Sequence, residues 1–122
     1  MKAVIVDDEA WCADELEEIL SHIKTIEVVA KYSNPRTFIE QLNRDAPDLV
    51  FVDVQMPGIN GLELAKIIKE KHDGIKAVLM SENPSYACDS YAVGGDDFVL
   101  KPIKAERIRF CLSRFLKMAV NE

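Results

Sequence analysis

Four apolar, strand-like runs of the sequence each end at or beside a polar residue that can take part in chemistry. These residues are Asp7, Asp8, Asp53, Ser81 and Lys101. A single aspartate after a strand is ordinarily a cap or a turn residue. The carboxyl ends of parallel strands meet at one rim of a sheet, however, and ligands bind at that rim. The joint placement therefore predicts one site that combines carboxylates, a hydroxyl and an ammonium group.

Such a site favours phosphoryl transfer. Carboxylates that share a pocket repel each other unless a cation joins them. Oxygen ligands in small number suit Mg²⁺, or Mn²⁺ in its place, which keeps several waters and accepts a phosphate oxygen. A carboxylate can also act as a nucleophile and form an acyl phosphate. The metal and a lysine would then neutralise the charge on the transferred group. No general base is needed, because the carboxylate is already ionised.

The elements that must position this site follow from apolar runs that alternate with amphipathic stretches. The runs predict five strands: Lys2–Val6, Ile26–Tyr32, Leu49–Val52, Ile75–Met80 and Phe98–Leu100. Apolar residues at helical spacing predict five helices, near residues 12–23, 34–44, 62–72, 84–93 and 108–119. This alternation predicts an α/β domain with a parallel sheet. Right-handed crossovers favour a doubly wound, three-layer fold.

Composition and charge narrow the classes of function. The chain has 122 residues, of which 48% are hydrophobic and 30% charged, as expected for one globular domain. Its 15 basic and 21 acidic residues give a net charge of −6, so direct nucleic acid binding by this domain is not expected. No apolar run can span a bilayer, and the first one is too short for a secretory signal. These features predict a cytoplasmic chain without membrane contact.

The cysteines argue against a disulfide framework or a zinc site. Cys12, Cys88 and Cys111 are odd in number and far apart, and the chain contains only two histidines. We expect three buried, inert thiols.

Three stretches carry a specific resemblance. They are Val4–Glu9, Leu49–Gly61 and Gly95–Pro102, and the second contains the pattern D-x-x-M-P-x-x-x-G. In this order and at these separations they resemble the receiver domain of bacterial two-component response regulators. The resemblance covers the whole chain. It implies one receiver domain over residues 1–122, with a flavodoxin-like (βα)5 fold and the strand order 2-1-3-4-5.

The resemblance also implies roles for the acidic residues. Asp53 matches the phosphoacceptor. Asp8 matches a direct Mg²⁺ ligand, and Asp7 matches the carboxylate that holds the metal through water. The backbone carbonyl of Gln55 would complete the protein ligands. The chain would be no enzyme beyond the self-catalysed phosphorylation and dephosphorylation of the family.

Three further residues match the part of the family site that responds to the phosphoryl group. Lys101 matches the lysine that pairs with the acceptor and then with the phosphoryl group, and its bond to Pro102 is typically cis. Ser81 matches the hydroxyl that binds a phosphoryl oxygen. Phe98 matches the aromatic switch that moves inward with that hydroxyl, although it lacks the hydroxyl of the commoner tyrosine. The switch would act by shifting the population between pre-existing surfaces.

The resemblance implies a sensor histidine kinase as one partner and an output domain or a downstream protein as the other. The expected output is control of transcription. The output surface in the family is formed by the fourth helix, the fifth strand and the fifth helix. A homodimer through this surface is an option, with charged pairs between acidic and basic side chains: Asp96, Asp97, Arg107, Arg109 and Arg114. The chain is either a stand-alone receiver or one excised from a longer regulator, and we favour excision.

Three residues beside the site depart from the commoner pattern or could tune it. Glu82 stands where the family usually has a small residue, and a carboxylate there should repel anionic phosphodonors. Asn83 and Gln55 flank the site and could set the lifetime of the phosphoryl group. Because Glu82 could hinder phosphorylation, a degenerate receiver that only binds partners stays an alternative.

Two other classes fit less well. A haloacid-dehalogenase-type phosphatase also uses an aspartate after a strand, but needs a second acid two residues later, where Gln55 stands. A flavin-binding electron carrier needs a phosphate-binding loop after the first strand, where Asp7 and Asp8 would repel a phosphate.

Overall fold

The computed structural model describes residues 1–121, with side-chain surroundings through Leu116. Its core is one parallel sheet with the strand order β2-β1-β3-β4-β5. The strands are β1 (Lys2–Val6), β2 (Glu27–Tyr32), β3 (Leu49–Asp53), β4 (Lys76–Ser81) and β5 (Asp97–Leu100). The helices are α1 (Ala10–Ser21), α2 (Pro35–Asp45), α3 (Gly61–Lys71), α4 (Ala87–Ala92) and α5 (Ala105–Asn121). The predicted architecture and strand order are confirmed.

Alternating side chains of the strands build two separate cores. On one face, Ile5 and Phe51 pack with Leu16 of α1 and Ile108 of α5. On the other face, residues of the opposite parity pack against α2 and α3: Val4, Val6, Val50 and Val52 with Phe38, Leu42, Leu64 and Ile68. Because successive residues of a strand point to opposite faces, a shift of one residue would exchange the two cores. This alternation holds the ends of β1 and β3 in register at the rim.

Asparagine side chains cap the first turns of two helices, α2 and α3. The Asn34 side chain accepts a hydrogen bond of 2.8 Å from the Arg36 N–H, and Pro35 is the first residue of α2. At α3, the Asn60 side chain accepts a bond of 3.0 Å from the Glu63 N–H. These caps satisfy N–H groups that have no partner within the helix.

Gly61 brings α3 close to the end of β3. A Cβ atom at this position would lie 2.2 Å from the Asp53 carbonyl oxygen and 2.7 Å from the Val54 Cα. Only a residue without a side chain allows this approach. The glycine of the D-x-x-M-P-x-x-x-G pattern thus fixes the backbone that carries Asp53.

The structure corrects two details. The predicted helix over residues 84–93 is a one-turn 3-10 helix, Pro84–Tyr86, followed by the short α4. Cys12 and Cys111 are buried as expected, but the expectation for Cys88 is wrong: it is exposed, because it lies on the outer side of α4.

Ala119, in the last predicted helix, lies outside the residues whose side chains the structure describes. Within the described residues, no helix has the length and apolar character needed to cross a membrane.

Candidate functional site

The rim at the carboxyl ends of the strands brings four of the predicted residues together. The strand order makes β1, β3, β4 and β5 successive neighbours. Asp7 follows β1, Asp53 ends β3, Ser81 ends β4 and Lys101 follows β5. Their exposed fractions are 2%, 3%, 1% and 7%, respectively. Buried polar side chains are costly unless they are paired, so this concentration needs a chemical explanation.

Lys101 joins the two buried carboxylates. Its Nζ donates a hydrogen bond of 2.9 Å to Asp7 Oδ2 and lies 3.4 Å from Asp53 Oδ1. Burial disfavours the ammonium form, but the hydrogen bond and the charge of Asp7, together with the charge of Asp53, outweigh it and raise the pKa of Lys101. The lysine is therefore a fixed positive charge beside Asp53. The Lys101–Pro102 peptide is cis, as the resemblance implied.

Four carboxylates converge beside this lysine. One oxygen from each of Asp7, Asp8, Glu9 and Asp53 lies within 4.8 Å of the other three. Burial, with the charge of Asp7 as the next cause, raises the pKa of Asp53 from 3.8 to about 7. A proton or a further cation relieves this repulsion. The donor set contains only hard oxygen atoms, which fits Mg²⁺.

Glu9 is the member of this cluster to which the sequence assigned no role. Its backbone N–H donates a bond of 2.9 Å to Asp7 Oδ1, and its Oε1 lies 3.8 Å from Lys101 Nζ. Its position directly after Asp7 and Asp8 is the feature of the sequence that could have identified it as a member of the cluster. The first of these contacts orients Asp7, and the second brings another carboxylate to the mouth of the site.

Ser81 contacts the two residues expected to flank the site. Its hydroxyl donates a bond of 3.3 Å to Gln55 Oε1 and accepts one of 3.0 Å from the Asn83 N–H. The Asn83 side chain caps the 3-10 helix by accepting a bond of 3.0 Å from the Ser85 N–H. Ser81 is thus held at the end of β4 by one side chain and one backbone group. The effect of Gln55 and Asn83 on phosphoryl lifetime stays a prediction.

An apolar cavity of about 280 Å³ opens beside Lys101. Its walls include Trp11 and Ile103, and two acidic side chains stand at its edge: Glu15 and Glu82. Glu82 is exposed, so it lies at the approach to the site rather than within it. The structure is consistent with the predicted hindrance by Glu82, which stays a prediction.

Phe98 lies half-buried in β5, opposite Leu79 of β4. It packs on a small apolar cluster between the sheet and α3: Val54, Ala65, Ala77 and Leu79. Val54 directly follows Asp53, and Ala77 and Leu79 belong to β4, which Ser81 ends. Phe98 therefore packs beside the strands that carry Asp53 and Ser81.

The charged residues proposed for a dimer are largely paired within the chain. Asp96 Oδ2 lies 2.8 Å from Lys69 Nζ. Asp97 lies 2.7 Å from Arg107 Nη2 and 3.3 Å from Arg114 Nη1. Spacing alone could not distinguish pairs within a chain from pairs between chains. Arg109 is exposed and has no ion pair within the described residues.

Comparison with known proteins agrees with the fold. A family model described as "Response regulator receiver domain" matches residues 3–112. This chain belongs to the family of response regulator receiver domains.

Relatives of known sequence extend this result. The chain is 32% identical over 122 residues to a sensory transduction protein, LytT, of Bacillus anthracis, covering 100% of this chain and 50% of the relative. It is 36% identical over 114 residues to an uncharacterized response regulatory protein of Yersinia pestis, covering 93% and 48% of the two chains. The chain thus spans about half the length of these relatives.

Two solved structures are similar throughout. The REC domain of AraT from Geobacillus stearothermophilus has a TM-score of 0.88 at 28% identity, covering 98% of this chain and 95% of that one. The response regulatory domain of protein MrkE from Klebsiella pneumoniae has a TM-score of 0.90 at 23% identity, covering 100% of both. The second likeness concerns the fold alone.

Proposed function

We propose that this receiver accepts a phosphoryl group on Asp53 from a phosphohistidine of a sensor kinase. The observation that carries the proposal is the buried Asp53 carboxylate, 3.4 Å from Lys101 and within 4.8 Å of three other acidic groups. A nucleophile in this setting is oriented and has a fixed cation beside it.

The reaction balances without an acid or a base from the protein. A carboxylate oxygen of ionised Asp53 forms a bond to phosphorus while the phosphorus–nitrogen bond of the donor breaks. The donor imidazole carries a proton on its other ring nitrogen, so the electron pair of the broken bond leaves it as neutral imidazole. Asp7, Asp8, Asp53 and the Gln55 carbonyl would hold Mg²⁺, which supplies positive charge to the phosphoryl oxygens. Lys101 contributes a second positive charge from its fixed position.

The hydroxyl of Ser81 then accounts for the response. It is bound to Gln55 and Asn83 in this structure, and a phosphoryl oxygen on Asp53 would be a stronger, charged acceptor. Drawing Ser81 toward Asp53 would open space for Phe98 to move inward. The proposed readout surface is α4, β5 and α5.

This readout surface carries three exposed large apolar side chains: Tyr91, Leu100 and Phe110. Its partner is an output domain, a downstream protein or a second copy of the chain. We favour an output domain, since the relatives are about twice as long as this chain. We expect that domain to control transcription in the cytoplasm. Sedimentation analysis with and without a phosphoryl mimic tests the homodimer. A monomer under both conditions would exclude it.

Intact-mass spectrometry tests the phosphorylation directly. The chain is incubated with acetyl phosphate, with and without Mg²⁺, and a candidate kinase serves as a second donor. We expect the mass of one phosphoryl group on the native chain, and none on Asp53→Asn or without Mg²⁺. Asp73→Asn is the matched control, because Asp73 is exposed and distant in sequence from the site.

Two results would contradict the proposal. One is phosphorylation of Asp53→Asn, which would place the acceptor elsewhere. The other is an unmodified native chain with every donor, including after Glu82→Ala, which would identify a degenerate receiver that acts by binding alone.

A further inference from the structure

An ionic cluster with one buried carboxylate lies outside the phosphorylation site, where α4, β5 and α5 meet. Its centre is Asp97, which is 1% exposed. The Tyr91 hydroxyl of α4 donates a bond of 3.1 Å to Asp97 Oδ1, and Arg107 Nη2 of α5 donates one of 2.7 Å to the same oxygen. Arg114 Nη1, also on α5, lies 3.3 Å from Oδ2. We call Tyr91, Asp97, Arg107 and Arg114 the Asp97 cluster.

The Asp97 cluster holds the backbone of Phe98 on both sides of its Cα atom. The Phe98 N–H donates a bond of 2.8 Å to Asp97 Oδ1, and the Phe98 carbonyl accepts one of 3.0 Å from Arg107 Nη2. β5 is an edge strand, with β4 as its neighbour in the sheet. Backbone groups that an edge strand leaves unpaired are therefore bound here by charged side chains, which give stronger bonds than neutral ones.

The cluster is not arranged for stability alone. Asp97 Oδ2 and Arg107 Nη1 are buried without a hydrogen bond within the described residues. Burial disfavours the ionised carboxyl, but the hydrogen bond and the charge of Arg107 counter it and keep the pKa of Asp97 below its usual range. A buried ion pair with incomplete hydrogen bonding adds little net stability compared with apolar packing. What it does provide is a defined position for the groups it binds.

We propose that Asp97 is a positioning residue for Phe98, and that the Tyr91 hydroxyl couples α4 to this position. The bonds to Arg107 fix the Phe98 backbone relative to α5. The bond from Tyr91 fixes α4 relative to the same carboxylate. The cluster thereby stabilises the arrangement in which Phe98 is half-buried, and a displacement of α4 that accompanies inward movement of Phe98 must break the Tyr91 bond. This inference depends on the proposed role of Phe98 as the switch.

The consequence is a reciprocal effect on the distant site. A bond that favours one of two states lowers the affinity of any ligand that prefers the other. Tyr91→Phe removes one hydroxyl and leaves both arginines on Asp97. We expect this variant to bind beryllofluoride, a phosphoryl mimic, about 2- to 10-fold more tightly, the range that one net hydrogen bond provides. Arg114→Gln should act in the same direction.

The test is a titration of the native chain and its variants with beryllofluoride at saturating Mg²⁺, followed by amide NMR. The readouts are the apparent affinity and the Phe98 amide shift in the ligand-free state. Tyr86→Phe is the matched control for Tyr91, because the Tyr86 hydroxyl makes no hydrogen bond within the described residues. Arg109→Gln is the control for Arg114.

Tighter binding by Tyr91→Phe, with the Phe98 amide of the free variant shifted toward its position in the bound native chain, supports the inference. Unchanged or weaker binding, with an unchanged Phe98 amide, overturns it even if the variant melts earlier, because a merely structural bond changes stability alone. A native chain that binds no beryllofluoride would refute the proposed function, and this inference would fall with it. The two failures are therefore distinguishable.

Discussion

The repulsion around Asp53 predicts that removing its charge stabilises the metal-free protein. Asp53→Asn keeps the shape of the side chain but cannot ionise. The pKa of Asp53 rises from 3.8 to about 7 on folding. One pKa unit corresponds to about 1.4 kcal/mol, so the ionised carboxylate costs the fold at most about 4 kcal/mol. The attraction to Lys101, 3.4 Å away, lowers the pKa of Asp53 and is already contained in this shift, so we expect a gain of up to about 4 kcal/mol.

The gain must depend on pH in a defined direction. Because the folded-state pKa lies above the unfolded one, the cost is absent below about pH 4, grows between pH 4 and 7, and is constant above pH 7. The native chain should therefore lose stability relative to Asp53→Asn as the pH rises through this window. Added Mg²⁺ should stabilise the native chain more than the variant, since a ligand stabilises the state that binds it.

Urea denaturation in EDTA at pH 5 and pH 8 measures the effect. Asp73→Asn is the control, because Asp73 is exposed and is not a member of the carboxylate cluster. The reasoning is refuted if Asp53→Asn is no more stable than the native chain at pH 8. It is refuted equally if the gain is the same at both values of pH.

Two further predictions concern the approach to the site and the backbone beneath it. Glu82→Ala should accelerate phosphorylation by acetyl phosphate about 2- to 5-fold at low salt and less at high salt, because an exposed carboxylate repels an anionic donor and salt screens this repulsion. Glu15→Ala, at the other edge of the cavity, is the control and should have a smaller effect. Equal rates for the native chain and both variants would disprove the role of Glu82. Gly61→Ala should lower the free energy of unfolding by about 3 kcal/mol or more, because its Cβ would stand 2.2 Å from the Asp53 carbonyl oxygen. Gly74→Ala, where a Cβ would meet nothing within 4 Å, should leave urea denaturation nearly unchanged, and equal losses for both glycine variants would contradict the steric argument.

The order of the elements and the main residues of the site were predictable from local patterns. Residues of β1 and β3 are apolar on both faces, which indicates central parallel strands. Asp7 follows β1 and Asp53 ends β3, so the rule for the carboxyl ends of parallel strands places them together. These inferences need only short-range periodicity and chain order.

The tertiary structure decided which charged groups meet. Lys101 donates its hydrogen bond to Asp7 and lies farther from Asp53, Glu9 joins the carboxylate cluster, and Asp97 pairs with arginines of its own chain. No local pattern could reveal the partners of Lys101 and Asp97, because these partners belong to other elements of the fold. Long side chains with the same charge and similar exposure have many possible partners, and only the packing of helices on the sheet sets the distances that select one.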